Sequence, residues 1–328
     1  MAAAFCQGES TISKFCAVGC DRPLFVMPVL PQSLQRVRVP PIKCQGIKTK
    51  LVPFLLANLH WPEQSASRWV EPFLGSGVVA FNLQPERALL ADSNQHIVRF
   101  YQAIQQGQID REVVREFLTQ EGQRLVQEGT DYYYEVRDRF NQTGSPLDFL
   151  FLNRACFNGL MRFNRRGEFN VPFCHKPQRF SQAYITKIAN QVDWVARQMA
   201  GRDWQLRVAH WTDSLSEVRA GDFVYLDPPY IGRHTDYYNC WTIAEAEQLA
   251  AQTQALPCGF AVSMWLENQH RRNDHIAQCW SSLERRICDH FYHVGSRETW
   301  RGAIAEALLI KPGFAAPAEI PPTHRDVG

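Results

Sequence analysis

The stretch "FVYLDPPYIGRH", residues 223–234, constrains the fold of this chain more than any other. An apolar run ends on a carboxylate, two successive prolines and a tyrosine. Neither proline carries an N–H and each fixes its own φ, so a sheet interior cannot continue through them and the strand must stop near Leu226. Asp227 therefore sits just past a strand end, which in an open α/β sheet is where ligands bind. Pro228 and Pro229 offer only carbonyls, so the turn presents acceptors and almost no donors. An amino group with two N–H donors suits such a turn. One hydrogen goes to the Asp227 carboxylate and the other to a proline carbonyl, while Tyr230 stacks on the aromatic ring that carries the amine.

Other short apolar runs read as strands: "WVEPF" (69–73), "RALLAD" (87–92), "LRVAH" (206–210), "GFAVSMW" (259–265) and "EALLIKP" (306–312). Helical patterns lie between them at residues 48–59, 93–107 and 242–256, and this alternation predicts an α/β, doubly wound sheet. From about residue 108 to 185 the rhythm breaks. Helical stretches there flank "FLFLNRACFNGLMRFNRRGEFNVPFCHKP", dense in arginine, asparagine and aromatics, which reads as an inserted domain. The expected division is an N-terminal extension (1–38), a discontinuous α/β domain (39–107 and 186–313), an insert (108–185) and a proline-rich flexible tail (314–328).

A chain of 328 residues, 45% hydrophobic, can bury a large core, and its net charge of +2 excludes a globally basic nucleic-acid binder. Any nucleic-acid partner must be met by a local patch. The ten cysteines include no CxxC pair, which favours free thiols in a reducing cytoplasm over a metal or disulfide framework. No run is long and apolar enough to span a membrane, and no metal site is expected.

The second chemical stretch is "EPFLGSGVVAFNL", residues 71–83, where a strand runs through Gly75-Ser76-Gly77 into a helix. Glycines at such a turn let backbone approach a ligand closely. Asp92 ends the next strand, where an acid either accepts hydrogen bonds from ribose hydroxyls or caps a helix in competition with Ser93 and Asn94. The turn lacks a full GxGxxG, so a nucleoside without phosphates fits better than a dinucleotide.

Taken with "PPIKCQGIKTKLVPFL" (40–55), "LLADSNQHIVRFYQAI" (89–104) and "GAIAEALLIKPG" (302–313), these stretches resemble the S-adenosylmethionine-dependent DNA adenine-N6 methyltransferases of the Dam type. The order matches as well, with cofactor motifs first, recognition insert second and DPPY third, and the resemblance runs over roughly residues 40–313. It implies a Rossmann-like methyltransferase sheet, doubly wound and mixed, with an inserted, mainly helical target-recognition domain carrying a β-hairpin. The implied activity is site-specific methyl transfer from S-adenosyl-L-methionine to adenine N6 in a short duplex sequence after base flipping, by a Dam-like or restriction-modification enzyme.

Carried onto this sequence, the resemblance assigns S-adenosylmethionine to Lys43, Gln45, Gly46 and Lys48, to Glu71, Pro72, Phe73, Gly75, Ser76 and Gly77, and to Asp92, Asp213 and Asp227. For Asp213 a helix cap, there or at Thr212, is the competing reading. Catalysis falls to Asp227, Pro228, Pro229 and Tyr230. Contact with DNA falls to Arg154, Phe157, Asn158, Leu160, Arg162, Asn164, Arg166 and Pro172. Among these Arg162 matches a guanine-reading arginine, Arg154 and Arg166 are positioning contacts, and Phe157 and Leu160 are wedges for the gap left by the flipped base. Three positions depart from the family pattern: Cys44 and Ile47 replace an aromatic and a glycine, and Phe157 replaces a tyrosine.

The implied partner is double-stranded DNA, with a cognate restriction endonuclease acting separately, a monomer sufficing, and a prokaryotic or phage-infected cytoplasm as the setting. Competing readings are a cytosine-N4 or RNA adenine methyltransferase and a catalytically silent DNA-binding module. Asp rather than Ser before the prolines favours adenine.

Overall fold

In a computed structural model of the chain, residues 34, 36–44, 46, 48–61, 66–230, 241–268, 271–291 and 303–317 are described. Most of the N-terminal extension, Gln45, Ile47, residues 231–234 of the opening stretch and the end of the tail lie outside them.

Five parallel strands form the larger part of one sheet: β1 (Trp69–Glu71), β2 (Arg87–Asp92), β3 (Asp203–Val208), β4 (Phe223–Leu226) and β5 (Gly259–Asn268). Two longer antiparallel strands, β7 (Glu284–Phe291) and β8 (Ala303–Ile310), complete the order β3-β2-β1-β4-β5-β8-β7, and the short β6 (Arg271–Arg272) pairs with β5. The sheet is therefore mixed, as expected. β4 ends at Leu226, where the prolines require it to end. The strand pattern missed β6 and β7, because "ERRICDHF" at the edge carries charges where a buried strand would carry a continuous apolar run.

Successive residues along the central strands enter opposite apolar layers. Trp69, Leu90, Phe223 and Tyr225 join one cluster, and Val70, Leu89, Val224 and Leu226 join the other. That period of two, with both faces covered, is what a doubly wound sheet requires. Helices α1 (Leu51–Asn58), α2 (Val78–Leu83) and α3 (Gln95–Gln105) contribute to the first layer. Helices α8 (Trp211–Ser216), α9 (Ile243–Gln254) and α10 (Asp274–Cys279) contribute to the second.

Between β2 and β3 the chain builds α4 (Arg111–Glu128), α5 (Thr130–Thr143), α6 (Pro146–Ala155) and α7 (Gln182–Met199). Local chemistry sets their ends: Asp110 caps α4 through the Glu112 and Val113 amides, and Ser145 caps α6 with Pro146 in its first turn. Their apolar faces, including Leu118, Phe140, Phe149 and Ile188, belong to the same cluster as the first face of the sheet. Between α6 and α7 the chain folds back on itself through two isolated antiparallel bridges, Cys156 with Phe173 and Phe163 with Phe169. The turn Asn164–Gly167 closes the second, and Phe163 stacks on His96 of α3 with ring centroids 5.1 Å apart.

β1 lies between β2 and β4, whose connections leave it in opposite directions, so the carboxyl ends of β1 and β4 flank the point where the strand order reverses. A cleft forms at such a point in an open α/β sheet.

Candidate active site

Three strand ends converge on that cleft. From β1 the chain passes through Glu71, Pro72 and Phe73 to Gly75, Ser76 and Gly77 before α2 begins. Gly75 has φ +51° and Gly77 φ +70°; a Cβ on Gly77 would lie 2.3 Å from the Phe81 ring, which explains the demand for glycine there. From β2 comes Asp92, which accepts the Gly75 amide at 2.8 Å on one oxygen and the Asn94 amide at 2.8 Å on the other. Asn94, not Asp92, caps α3, through the His96 amide at 3.0 Å. Both carboxylates resist ionisation. Burial raises Asp92 to about 6 and Glu71 to about 8, although the indole N–H of Trp69 donates to Glu71 at 2.7 Å.

From β4 comes Asp227, and around it lies a buried polar cluster. The Lys48 ammonium, 4% exposed, sits 3.2 Å from Asp227 Oδ1 and 3.5 Å from Glu306 Oε1, and it also hydrogen-bonds the Tyr230 hydroxyl. Tyr230 donates to Glu306 at 3.3 Å, and Ser263 Oγ donates to Asp227 Oδ1 at 3.1 Å beside the Tyr225 hydroxyl. Burial alone would pull the Lys48 pKa down, but Asp227, Tyr230 and Glu306 outweigh it and raise it well above its ordinary value. Asp227 is itself raised by burial, with Lys48 opposing that shift.

The structure thus brings Gly46, Lys48, Glu71, Pro72, Phe73, Gly75, Ser76, Asp92, Asp227, Pro229 and Leu160 to one cleft. Asp213 is not among its walls: it is exposed on α8 and caps nothing with its side chain, while His210 and Trp211 line the cleft instead. Lys43 is not among the cleft's lining residues. Asn153 of α6 holds its backbone reciprocally, accepting from Lys43 N at 2.8 Å and donating to Lys43 O at 2.9 Å. Sequence reasoning missed Asn153, Tyr225, Trp241, Ser263 and Glu306. A lone carboxylate within the apolar run "EALLI" was the available signal for Glu306.

The proposed DNA contacts lie on the fold-back between α6 and α7. Phe157 is 51% exposed and Asn158, at φ +54°, and Arg166 are exposed at its turns. Arg162 is half-buried, with its guanidinium on Asn170 Oδ1 at 2.8 Å, and the exposed Asn164 bonds Glu168 at 2.7 Å. Pro172 is exposed and accepts the Phe157 amide at 2.9 Å. Arg154 differs from its expectation as a positioning contact on DNA. It is 4% exposed, and its guanidinium binds Tyr184 Oη at 3.2 Å and Gln191 at 2.7 Å, joining α6 to α7 from inside.

The model of the D12 class N6 adenine-specific DNA methyltransferases matches residues 45–295. The chain belongs to this family. It is similar to the DNA adenine methylase of Salmonella typhi, 32% identical over 267 residues that cover 76% of this chain and 88% of that protein. The DNA adenine methylase of Serratia marcescens is 32% identical over 209 residues, covering 61% and 73%. A type II methyltransferase of Methanocaldococcus jannaschii is 30% identical over 212 residues, covering 58% and 68%. The protein is thus an adenine-specific DNA methyltransferase, which moves a methyl group from a donor to N6 of adenine in DNA. No helix among the described residues is long and apolar enough to cross a membrane. The family match begins just after Lys43 and ends before β8, so Glu306 lies beyond it.

Proposed function

We propose that the methyl donor of this methyltransferase is S-adenosylmethionine, held in the cleft between the ends of β1, β2 and β4. The observation that carries this reading is the convergence of Gly75, Asp92 and Asp227 on one cleft. The residues present fit the cofactor chemically. Asp92 is an acceptor for ribose hydroxyls, Glu71 and Asp227 suit the α-ammonium group and the sulfonium, and Phe73, Ile97 and Trp241 offer apolar surface to a purine. Held there by Asp92, Glu71 and Asp227, the cofactor would supply an electrophilic methyl on a sulfonium, with a neutral thioether as leaving group.

The chain's own residues prepare N6 for that transfer. The lone pair of adenine N6 is delocalised into the ring, and hydrogen bonds from the two N6 hydrogens to Asp227 and the Pro228 carbonyl favour the pyramidal nitrogen of the transition state. Both described contacts of the Asp227 carboxylate fall on Oδ1, so Oδ2 accepts the N6 hydrogen and takes the proton that the methylated nitrogen sheds. The proline pair holds this alignment without further ordering. The Tyr230 ring, tethered at its hydroxyl, stacks on the flipped base and recovers part of an unstacking cost of roughly a few kcal/mol.

Residues 108–185 are the target-recognition insert in this reading. Phe157 and Leu160 fill the gap in the duplex, Arg162, Asn158 and Asn164 read base edges, and Arg166 and Pro172 lie against the backbone. A monomer suffices for this reaction in a prokaryotic or phage-infected cytoplasm, either as a Dam-like methylase or beside a separately acting restriction endonuclease.

The test is tritium transfer from S-adenosylmethionine to unmethylated duplex DNA by the wild-type chain and by Asp227→Ala, with mapping of the labelled base. Label on adenine N6 that vanishes in the variant is expected. Label on cytosine, or undiminished label in Asp227→Ala, overturns the assignment.

A further inference from the structure

We infer that Glu306 is a positioning residue for methyl transfer, acting on Asp227 through Lys48 and Tyr230. The inference rests on the reading of Asp227 as the acceptor of the N6 hydrogen.

Glu306 is a carboxylate 2% exposed in the middle of β8, opposite Trp265 of β5 and Cys288 of β7 and followed by Ala307, Leu308 and Leu309. Burying a carboxylate in such a strand is costly unless its partners are charged or hydrogen-bonded. Two of its partners belong to the active site, the Lys48 ammonium at 3.5 Å and the Tyr230 hydroxyl at 3.3 Å. Each of those touches the catalytic turn in its own way, since Lys48 lies 3.2 Å from Asp227 Oδ1 and Tyr230 is part of the turn itself.

The geometry shows what the carboxylate holds in place. Lys48 lies between two carboxylates, 3.2 Å from Asp227 Oδ1 and 3.5 Å from Glu306 Oε1, Ser263 donates to the same Oδ1, and the Asp227 side chain remains 24% exposed in the cleft. Oδ2 is thereby left for the substrate. The same carboxylate anchors the Tyr230 hydroxyl, which sets the plane of the ring that receives the base. Glu306 thus orients both the hydrogen-bond acceptor and the stacking platform without touching the substrate. A displacement of about 1 Å at a reacting centre can cost about a hundredfold in rate, so a small shift of Lys48 is enough to register.

The test compares Glu306→Gln, which keeps volume and shape but loses the charge, with Lys48→Met, the double variant and Asp227→Ala. The readouts are kcat and KM for adenine-containing duplex DNA, S-adenosylmethionine affinity and Tm. Glu306→Gln is expected to lower kcat about ten- to a hundredfold, while KM and cofactor affinity change less than about threefold. The double variant is expected to be no slower than Lys48→Met alone, because the two residues act as one unit. A wild-type kcat in Glu306→Gln beside an inactive Asp227→Ala overturns this inference alone. So does a full multiplicative loss in the double variant, or a loss of kcat, KM and Tm together. Methylation surviving in Asp227→Ala overturns the reading beneath it, and this inference with it.

Discussion

The amide of Gly75 donates to the Asp92 carboxylate at 2.8 Å, tying the turn after β1 to the end of β2. In the proposed reading this same acid meets the cofactor ribose, so one carboxylate would serve both the loop and the ligand. Asp92→Asn keeps an acceptor for Gly75 and loses the charge. Its cofactor Kd should rise about tenfold, or about 1.4 kcal/mol, with kcat at saturating cofactor close to wild type. Because Asp92 titrates near 6, wild-type affinity should also weaken as pH falls below about 6, and the variant's should not. Calorimetric titration at pH 5 and pH 8 checks both; an affinity independent of this substitution removes Asp92 from the site.

Glu71 makes stability depend on pH with a defined sign. Burial raises its folded pKa to about 8, above the ordinary 4.5, so the folded state binds the proton more tightly than the unfolded chain does. Its contribution is fully present below about 4.5 and is lost as pH rises through about 8. Glu71→Gln escapes that loss. The Tm of the cofactor-free variant relative to wild type should therefore increase between pH 5 and pH 8.5, and a difference that stays constant across the range would contradict the assignment.

The two glycines of the turn should not be equally sensitive. At Gly77 an added Cβ meets the Phe81 ring at 2.3 Å with φ at +70°, whereas at Gly75 it meets Cys44 Sγ at 3.5 Å, an ordinary contact, with φ at +51°. Gly77→Ala pays for both strain and overlap and should cost about 3 kcal/mol; Gly75→Ala pays for strain alone and should cost about 1 kcal/mol. Urea unfolding of both variants checks the order.

Exposure separates the residues proposed to contact DNA from Arg154, which is buried. Phe157→Ala should leave stability within about 0.5 kcal/mol while lowering the fluorescence gain of 2-aminopurine placed at the target adenine, because the duplex gap loses its wedge. Arg166→Ala should reduce the salt slope of DNA binding by about one. Arg154→Ala should instead destabilise the fold by about 2–4 kcal/mol, since it strands Gln191 and removes a buried guanidinium between α6 and α7. A stable Arg154→Ala with a weaker salt slope would return that residue to the phosphate backbone.

Much of the sheet was legible because its signals are local. Apolar runs at 69–73, 87–92, 206–210, 223–229, 259–265 and 306–312 each contain or overlap a strand, and the alternation with helices gave the layered architecture. β7 escaped because an edge strand need not be apolar. In the site, Gly75, Asp92 and Asp227 were legible as residues at strand ends. Asp213 was expected only from the family resemblance, and the direction of α8 decided that its side chain faces water while Trp211 faces the cleft.

What the sequence determined by itself was the set of local backbone events: a strand that must stop near Leu226, a tight turn through Gly75-Ser76-Gly77, and a carboxylate stranded just beyond a strand end. These follow from the fixed φ and missing N–H of proline and from the absence of a Cβ in glycine, which act within a few residues. Only the tertiary structure decided that Lys48, Asp227, Ser263 and Glu306 share one buried cluster, and that Arg154 points inward. Those placements depend on the order β1-β4-β5-β8 and on which charges are buried against which partners. Both are properties of long-range packing, and no local spacing encodes them.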